Sequence, residues 1–132
     1  MEKINIKTAK RIELIDITAD IQQIIAKTKI SEGVCFVFCP HTTAGLTINE
    51  NADPSVRSDI INTLKRIIPE NVGYSHAEGN SDSHIKASLF GSSLTIFIEG
   101  TQVCLGTWQG VFFCEEDGPR TREVWVKIIK EK

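Results

Sequence analysis

The chain has 132 residues, 41% of them apolar and 24% charged, with a net charge of −2; that length buries one sizeable core and reads as a single domain over residues 1–132. A slightly acidic surface argues against nucleic acid as a partner, because that affinity rests on Lys and Arg neutralising phosphates. No apolar run reaches the roughly 20 residues of a membrane helix, and the opening Met1-Glu2-Lys3-Ile4-Asn5-Ile6 lacks an apolar signal core, so the expectation is a cytoplasmic protein without membrane contact.

Residues 3–8 and 11–17 alternate apolar and polar, and Asn5, Thr8 and Ala9 suggest a hairpin between them. A helix is expected from Thr18 to Thr28, with Thr18 as N-cap, Asp20 in the first turn and Ile21, Ile24 and Ile25 on one face. Gly33 opens the run Val34-Cys35-Phe36-Val37-Phe38-Cys39, apolar on both faces and therefore expected at the centre of a sheet; Pro40 stops it. Leu46–Asn49 reads as a short strand. Asp53-Pro54 is a strong helix start, and the helix over 54–68 is expected to bury Val56, Ile60, Ile61, Leu64, Ile67 and Ile68. Residues 70–83 have no apolar periodicity and read as a long polar loop, which in a small domain is functional or disordered.

The last third is strand-like: Leu94–Ile98, Val111–Cys114 and Glu123–Ile129 are rich in β-branched and aromatic residues and are separated by Gly100, Gly106, Gly110 and Gly118-Pro119. Two main helices among about seven strands give an α+β fold built on a mostly antiparallel sheet. The four cysteines, at 35, 39, 104 and 114, are not spaced as CxxC pairs, and without an export signal they are expected to be free thiols. Cys114 stands just before the acidic run Glu115-Glu116-Asp117.

Chemistry concentrates in four segments. Pro40-His41-Thr42-Thr43-Ala44-Gly45 leaves the expected central strand with a histidine among small and hydroxyl residues, a pattern that frees backbone N–H groups for a ligand and equally makes a plain turn. In Asn49-Glu50-Asn51-Ala52-Asp53, Asp53 is needed as a cap, whereas Glu50 and Asn51 are not. His76-Ala77-Glu78-Gly79-Asn80-Ser81-Asp82-Ser83-His84 is the densest run of coordinating groups, and imidazole with carboxylate suits zinc, manganese or iron. The plainer alternative is that Asp82 or Ser83 caps a helical turn beginning at His84. Lys86 falls on the face of His84 if the segment is a strand. Gly106-Thr107-Trp108-Gln109-Gly110 exposes a Trp between glycines, which suits a ligand or an interface.

At these segments the sequence resembles the YjbQ family, the small proteins called secondary thiamine-phosphate synthases. The resemblance is carried by HTTAGLTINENADPSV (41–56), YSHAEG (74–79), EGNSDSHIKASLFGSSLTI (78–96) and GTWQGVFFCEEDGPR (106–120), and covers nearly the whole chain. Phe97 departs from the proline that many members carry there, a change expected to touch only strand geometry. The resemblance implies an α+β sandwich assembled as a homotrimer, with polar sites between subunits. It also implies a weak synthase activity that joins a pyrimidine pyrophosphate to a thiazole phosphate with a divalent metal ion, magnesium or zinc, on the leaving group. On that reading His41, Asp82, His84 and Lys86 are catalytic, and His41, His76, Asp82 and His84 converge on the metal. The small phosphorylated substrate is met by Thr42, Thr43, Asn49, Glu50, Asn51, Asn80, Ser88, Thr107 and Gln109. Two other readings are a non-catalytic trimer that binds a metal or phosphate, and a purely structural assembly partner.

Overall fold

The computed structural model describes all of residues 1–132. In chain order its elements are β1 (Glu2–Lys7), β2 (Glu13–Asp16), α1 (Thr18–Thr28), β3 (Gly33–Phe38), β4 (Ala44–Glu50), α2 (Pro54–Ile67), α3 (Ser81–Leu89), β5 (Ser93–Glu99), β6 (Gln102–Val103), β7 (Gln109–Glu115) and β8 (Thr121–Lys130). Two antiparallel sheets result, one in the order β1-β8-β3-β5-β6 and one in the order β2-β7-β4. The α+β class and the antiparallel pairing agree with the sequence; the third helix, α3, starts at Ser81, inside the segment expected as loop, and makes the helical turn at His84 part of a nine-residue helix.

The two sheets enclose the main core. Alternate residues of the larger sheet (Ile4, Ile6, Cys35, Val37, Ile96, Ile98, Val124 and Val126) meet Leu46, Val111 and Phe113 of the smaller one, with Ile17, Ile21 and Ile25 of the α1 segment completing the cluster. On β7 the period-2 alternation sends Phe112 and Cys114 to the opposite face, where they and Leu14 are met by Ile60 and Ile61 of α2 and by Phe90. The layers therefore run from the larger sheet through the smaller sheet to α2 and α3.

Several local expectations hold. Asp53 caps α2, accepting from the Ser55 amide at 2.9 Å, and Pro54 occupies the first turn. All four cysteines are free, and burial pushes the Cys114 thiol well above its usual range, which leaves it unreactive.

Other expectations are corrected. The segments 3–8 and 11–17 do not form a hairpin: β1 pairs with β8 in one sheet and β2 with β7 in the other. The chain crosses between sheets because Thr8 is tied to Arg120, donating its amide to the Arg120 carbonyl at 2.9 Å and accepting the Arg120 amide on its hydroxyl at 2.8 Å. Thr18 is not the cap of α1; Asp16 accepts its amide at 2.9 Å, and the Thr18 hydroxyl accepts from the Val111 amide. None of the six apolar residues named for α2 is fully buried, and Ile67 is 59% exposed, because three strands offer the helix only a narrow face.

β3 does lie at the centre of the larger sheet, but only one of its faces is covered. The other presents Phe36 and Phe38, each 42% exposed, beside Phe97 (64%) and Ile129 (52%) on the neighbouring strands. Phe38 stacks on Trp125 at 5.7 Å between centroids, and Lys3 lies over the same indole. Isolated exposed apolar residues are ordinary; a contiguous aromatic face across three strands is not.

Candidate functional site

α3 is held by charge. Its residues Asp82, Ser83 and Lys86 are buried, and two of them are ionisable. One turn apart, they share a helix face, and the Lys86 Nζ donates to the Asp82 carboxylate at 2.8 Å. Arg11, from the β1–β2 connection, donates to both oxygens of the same carboxylate at 3.1 and 3.0 Å and to the Ser83 hydroxyl at 3.1 Å. Burial alone would raise the Asp82 pKa, but these hydrogen bonds and the two positive charges hold it below the usual carboxylate value. The same bond to Asp82 raises the Arg11 pKa.

The turn after β7 carries a second buried network. Glu115 receives Arg122 Nε at 2.9 Å and the Thr8 hydroxyl at 2.8 Å, and is also bonded to Arg122 Nη2. Arg122 Nη2 donates in addition to the Thr43 hydroxyl at 2.8 Å and the Thr43 carbonyl at 3.2 Å. Thr43, an expected substrate contact, is thus buried and occupied in fixing the His-Thr-Thr turn. Glu116 donates its amide to the Thr43 carbonyl, while its own carbonyl accepts the Ser83 hydroxyl at 2.6 Å. Asp117 accepts from Asn80 at 2.9 Å and from Arg120 at 2.7 Å. The 115–117 turn therefore joins the histidine turn to α3. Gly118 lets the β1–β2 connection approach it: a Cβ there would fall 2.2 Å from the Lys10 carbonyl oxygen.

The histidines divide between two neighbouring spaces. His41, Thr42, His84, Ser88 and Ser92 share an open cavity of about 450 Å³, floored by Ala44, Ala87 and Phe90. His41 lies edge-on to Phe113, with its Nε2 3.1 Å from both the amide and the carbonyl of Glu123. Burial, and then the nearby Arg122 charge, lower its pKa, so the ring is neutral at pH 7. His76 stands outside this cavity but touches His84, with ring centroids 5.3 Å apart.

The expected metal set does not assemble in one chain, since no three His, Cys, Asp or Glu side chains group around a common point. Asp82 is committed to Arg11 and Lys86, so of the proposed ligands only the His76–His84 pair is in contact. Within one chain these residues fall short of the three protein donors that zinc takes and of the free carboxylates that magnesium takes. Lys86 is not on the His84 face: the segment is helical, and a four-residue step turns Lys86 toward Asp82 instead.

The remaining candidates are remote. Glu50 pairs with Gln109 and Asn49 with Gly110 at the far end of β4, and Asn51 donates its amide to the Trp108 carbonyl. The seven residues of β4 put these groups about 20 Å from the His-Thr-Thr turn. Asn51 also donates to Asp16 at 3.2 Å, and Gln109 accepts from the Gly106 amide at 2.7 Å, closing the turn that leaves Thr107 and Trp108 exposed. The polar segments thus form two groups at opposite ends of the smaller sheet. Arg11, Glu115, Glu116 and Arg122 were missed as site residues. The available signal was an acidic run continuing a strand of buried apolar residues, where a charge persists only if paired.

Comparison with known proteins places the whole chain. Residues 2–131 match the family described as UPF0047 protein YjbQ-like. The chain is 58% identical over 98% of its length to a UPF0047 protein of Methanocaldococcus jannaschii, 94% of which is covered. To the UPF0047 protein YugU of Bacillus subtilis it is 45% identical, over 98% of both chains. It superposes on the crystal structure of an uncharacterised YjbQ/UPF0047 protein from Clostridium acetobutylicum with a TM-score of 0.95 and 51% identity, covering 98% of this chain and all of the other. A YjbQ-like protein of unknown function from Sulfolobus solfataricus matches with a TM-score of 0.93 and 32% identity, over 98% and 96% of the chains.

Glu116 gives the site a measurable pH signature. Burial pushes its carboxyl up to about 7; Lys86 and Arg11 pull it down, while Glu115 and Asp82 push it up. The unfolded chain releases this proton near 4.5 and the folded chain near 7. The folded state therefore binds more protons across that window, and Glu116 subtracts stability as pH rises through it, by up to about 3 kcal/mol above pH 7. The expected result for Glu116→Gln is stability close to wild type at pH 4.5 and higher than wild type at pH 8, measured by urea unfolding. An equal difference at both pH values contradicts the assignment.

Proposed function

The chain belongs to the YjbQ-like UPF0047 family, and we propose that it acts on a small phosphorylated molecule in the cavity between His41 and His84. The observation that carries this reading is that two imidazoles from different elements face one open space with the hydroxyls of Thr42, Ser88 and Ser92. His41 is held neutral and locked to the Glu123 backbone. A neutral, oriented imidazole can take a proton near pH 7, and hydroxyls bind polar substituents without fixing a charge.

The finer form of the proposal is weak thiamine-phosphate synthase activity, which rests on the motif resemblance. In that reaction the thiazole nitrogen attacks the methylene carbon of the pyrimidine pyrophosphate. A C–N bond forms, the C–O bond breaks, and pyrophosphate leaves with the electron pair. Such a step needs stabilised charge and correct orientation more than a protein nucleophile. No part of the proposal assigns a metal ion to these residues.

The competing reading is a module that binds without turnover, and the His76–His84 contact favours it. One set of variants separates the two. Wild type should form thiamine phosphate above the uncatalysed rate, and His41→Ala and His84→Ala should each lose roughly a hundredfold or more with unchanged melting temperature. Wild-type turnover at background, with zinc binding that disappears in His84→Ala, would overturn the enzyme reading in favour of the module.

We also propose that copies of the chain associate through the uncovered face of the larger sheet, in the homotrimer implied by the resemblance. Support comes from the contiguous exposure of Phe36, Phe38, Phe97 and Ile129. Sedimentation at micromolar concentration should give a trimer for wild type and a smaller species for the double variant Phe36→Glu/Phe97→Glu. A monomeric wild type, or a double variant that still forms trimers, contradicts the assignment.

A further inference from the structure

On the opposite side of α3 from His84 lies a second space, a cleft of about 440 Å³ between the β1–β2 connection, the end of α2 and α3. Its charged lining is Lys10, Arg11, Lys65, Glu70, Asp82 and Lys86, and Ile12 is its one apolar residue. We propose that this cleft is an oxyanion site for the dianionic phosphate group of a small molecule. The proposal goes beyond the reading given for the His41–His84 cavity and does not depend on it, since different residues line the two spaces.

Charge and burial carry the inference. Four cations and two carboxylates line the cleft, and Asp117, 4.0 Å from Arg11 Nε, with the buried Glu116 beside Lys86 and Arg11, offsets part of the positive excess from behind the wall. Both carboxylates are already partnered: Asp82 by Arg11 and Lys86, and Glu70 by Arg11 Nε at 3.5 Å. Neither remains to repel an incoming anion at full strength. Lys86 is fully buried yet lines the cleft, and its Nζ makes one hydrogen bond, to Asp82. An ammonium carries three donors, so Lys86 retains capacity for an anion inside the cleft. Arg11, fixed in orientation by its bidentate bond to Asp82, is a preorganised planar cation on the same wall. Lys10 and Lys65 stand at the exposed rim, where they attract the anion.

The size and sign of the charge select the ligand class. A phosphate monoester carries about −1.5 to −2 at neutral pH and offers three oxygens, so it engages several of these cations at once, where a single carboxylate engages fewer. A nucleic acid would meet a chain whose net charge is −2 with this patch included. Ile12 offers the one apolar contact for whatever carries the phosphate.

Titration calorimetry at low salt with inorganic phosphate and with methyl phosphate tests the proposal on the intact chain. Both probes should bind wild type, and raising the salt should weaken both, because the attraction is between charges. Tighter binding of methyl phosphate identifies an ester as the natural source, and tighter binding of the inorganic ion identifies free phosphate. Lys65→Glu and Lys10→Glu alter exposed side chains and should leave the fold intact while weakening both probes about tenfold or more. Lys27→Glu, an equal charge reversal on the exposed side of α1, should leave binding unchanged. The proposal is overturned if neither probe binds wild type, or if Lys27→Glu weakens binding as much as Lys65→Glu does.

Discussion

A carboxylate with no exposed surface cannot stay ionised alone, and the arrangement of this molecule follows from how Asp82 solves that problem. One of its cations, Lys86, lies a single turn along the same helix; the other, Arg11, is 71 residues away in sequence. Removing one member of such a buried group costs about 3–5 kcal/mol, comparable to the whole stability margin of many small domains. The rotation of α3 is thereby set. With Asp82 and Lys86 turned inward, His84 and Ser88 face the histidine cavity and the other side of the helix walls the cationic cleft.

The 115–117 turn extends this constraint across the molecule. Glu115, with Arg122, Thr8 and Thr43, pins the turn that carries His41, while the Glu116 carbonyl accepts Ser83 of α3. The two walls of the histidine cavity are therefore fixed to adjacent residues of one strand end. Such a network is a poor way to gain stability, because burying ions costs most of what their attraction returns. The Glu116 carboxyl, buried with its Oε2 unpartnered, detracts further. Local features of this kind, costly to the fold and gathered beside open cavities, are characteristic of sites that bind or react.

Where apolar periodicity governs, the sequence was legible. The strand after Gly33, the Asp53-Pro54 start of α2 and the strands of the last third form where side-chain pattern and cap chemistry place them. Of α3 only a helical turn from His84 was legible, because its buried face is Asp82, Ser83 and Lys86, and a search for apolar residues at helical spacing cannot see a helix anchored by ions. The Asp–Lys pair at i, i+4 was the available sign. The uncovered face of β3 escaped for the converse reason: an apolar run states that burial is favourable, not which copy of the chain supplies it. The polar segments looked like one site because their residue types agree. The length of β4 separates them into two groups, and composition carries no distance.

The central claim is that the Asp82 ion cluster holds α3 in place. Hydrogen exchange on Asp82→Asn tests it most directly, because exchange reports opening segment by segment. The amides of 85–89 should lose most of their protection, while those of β3 and β8, held by the main core, keep theirs. Protection of α3 equal to that of the wild type would contradict the account.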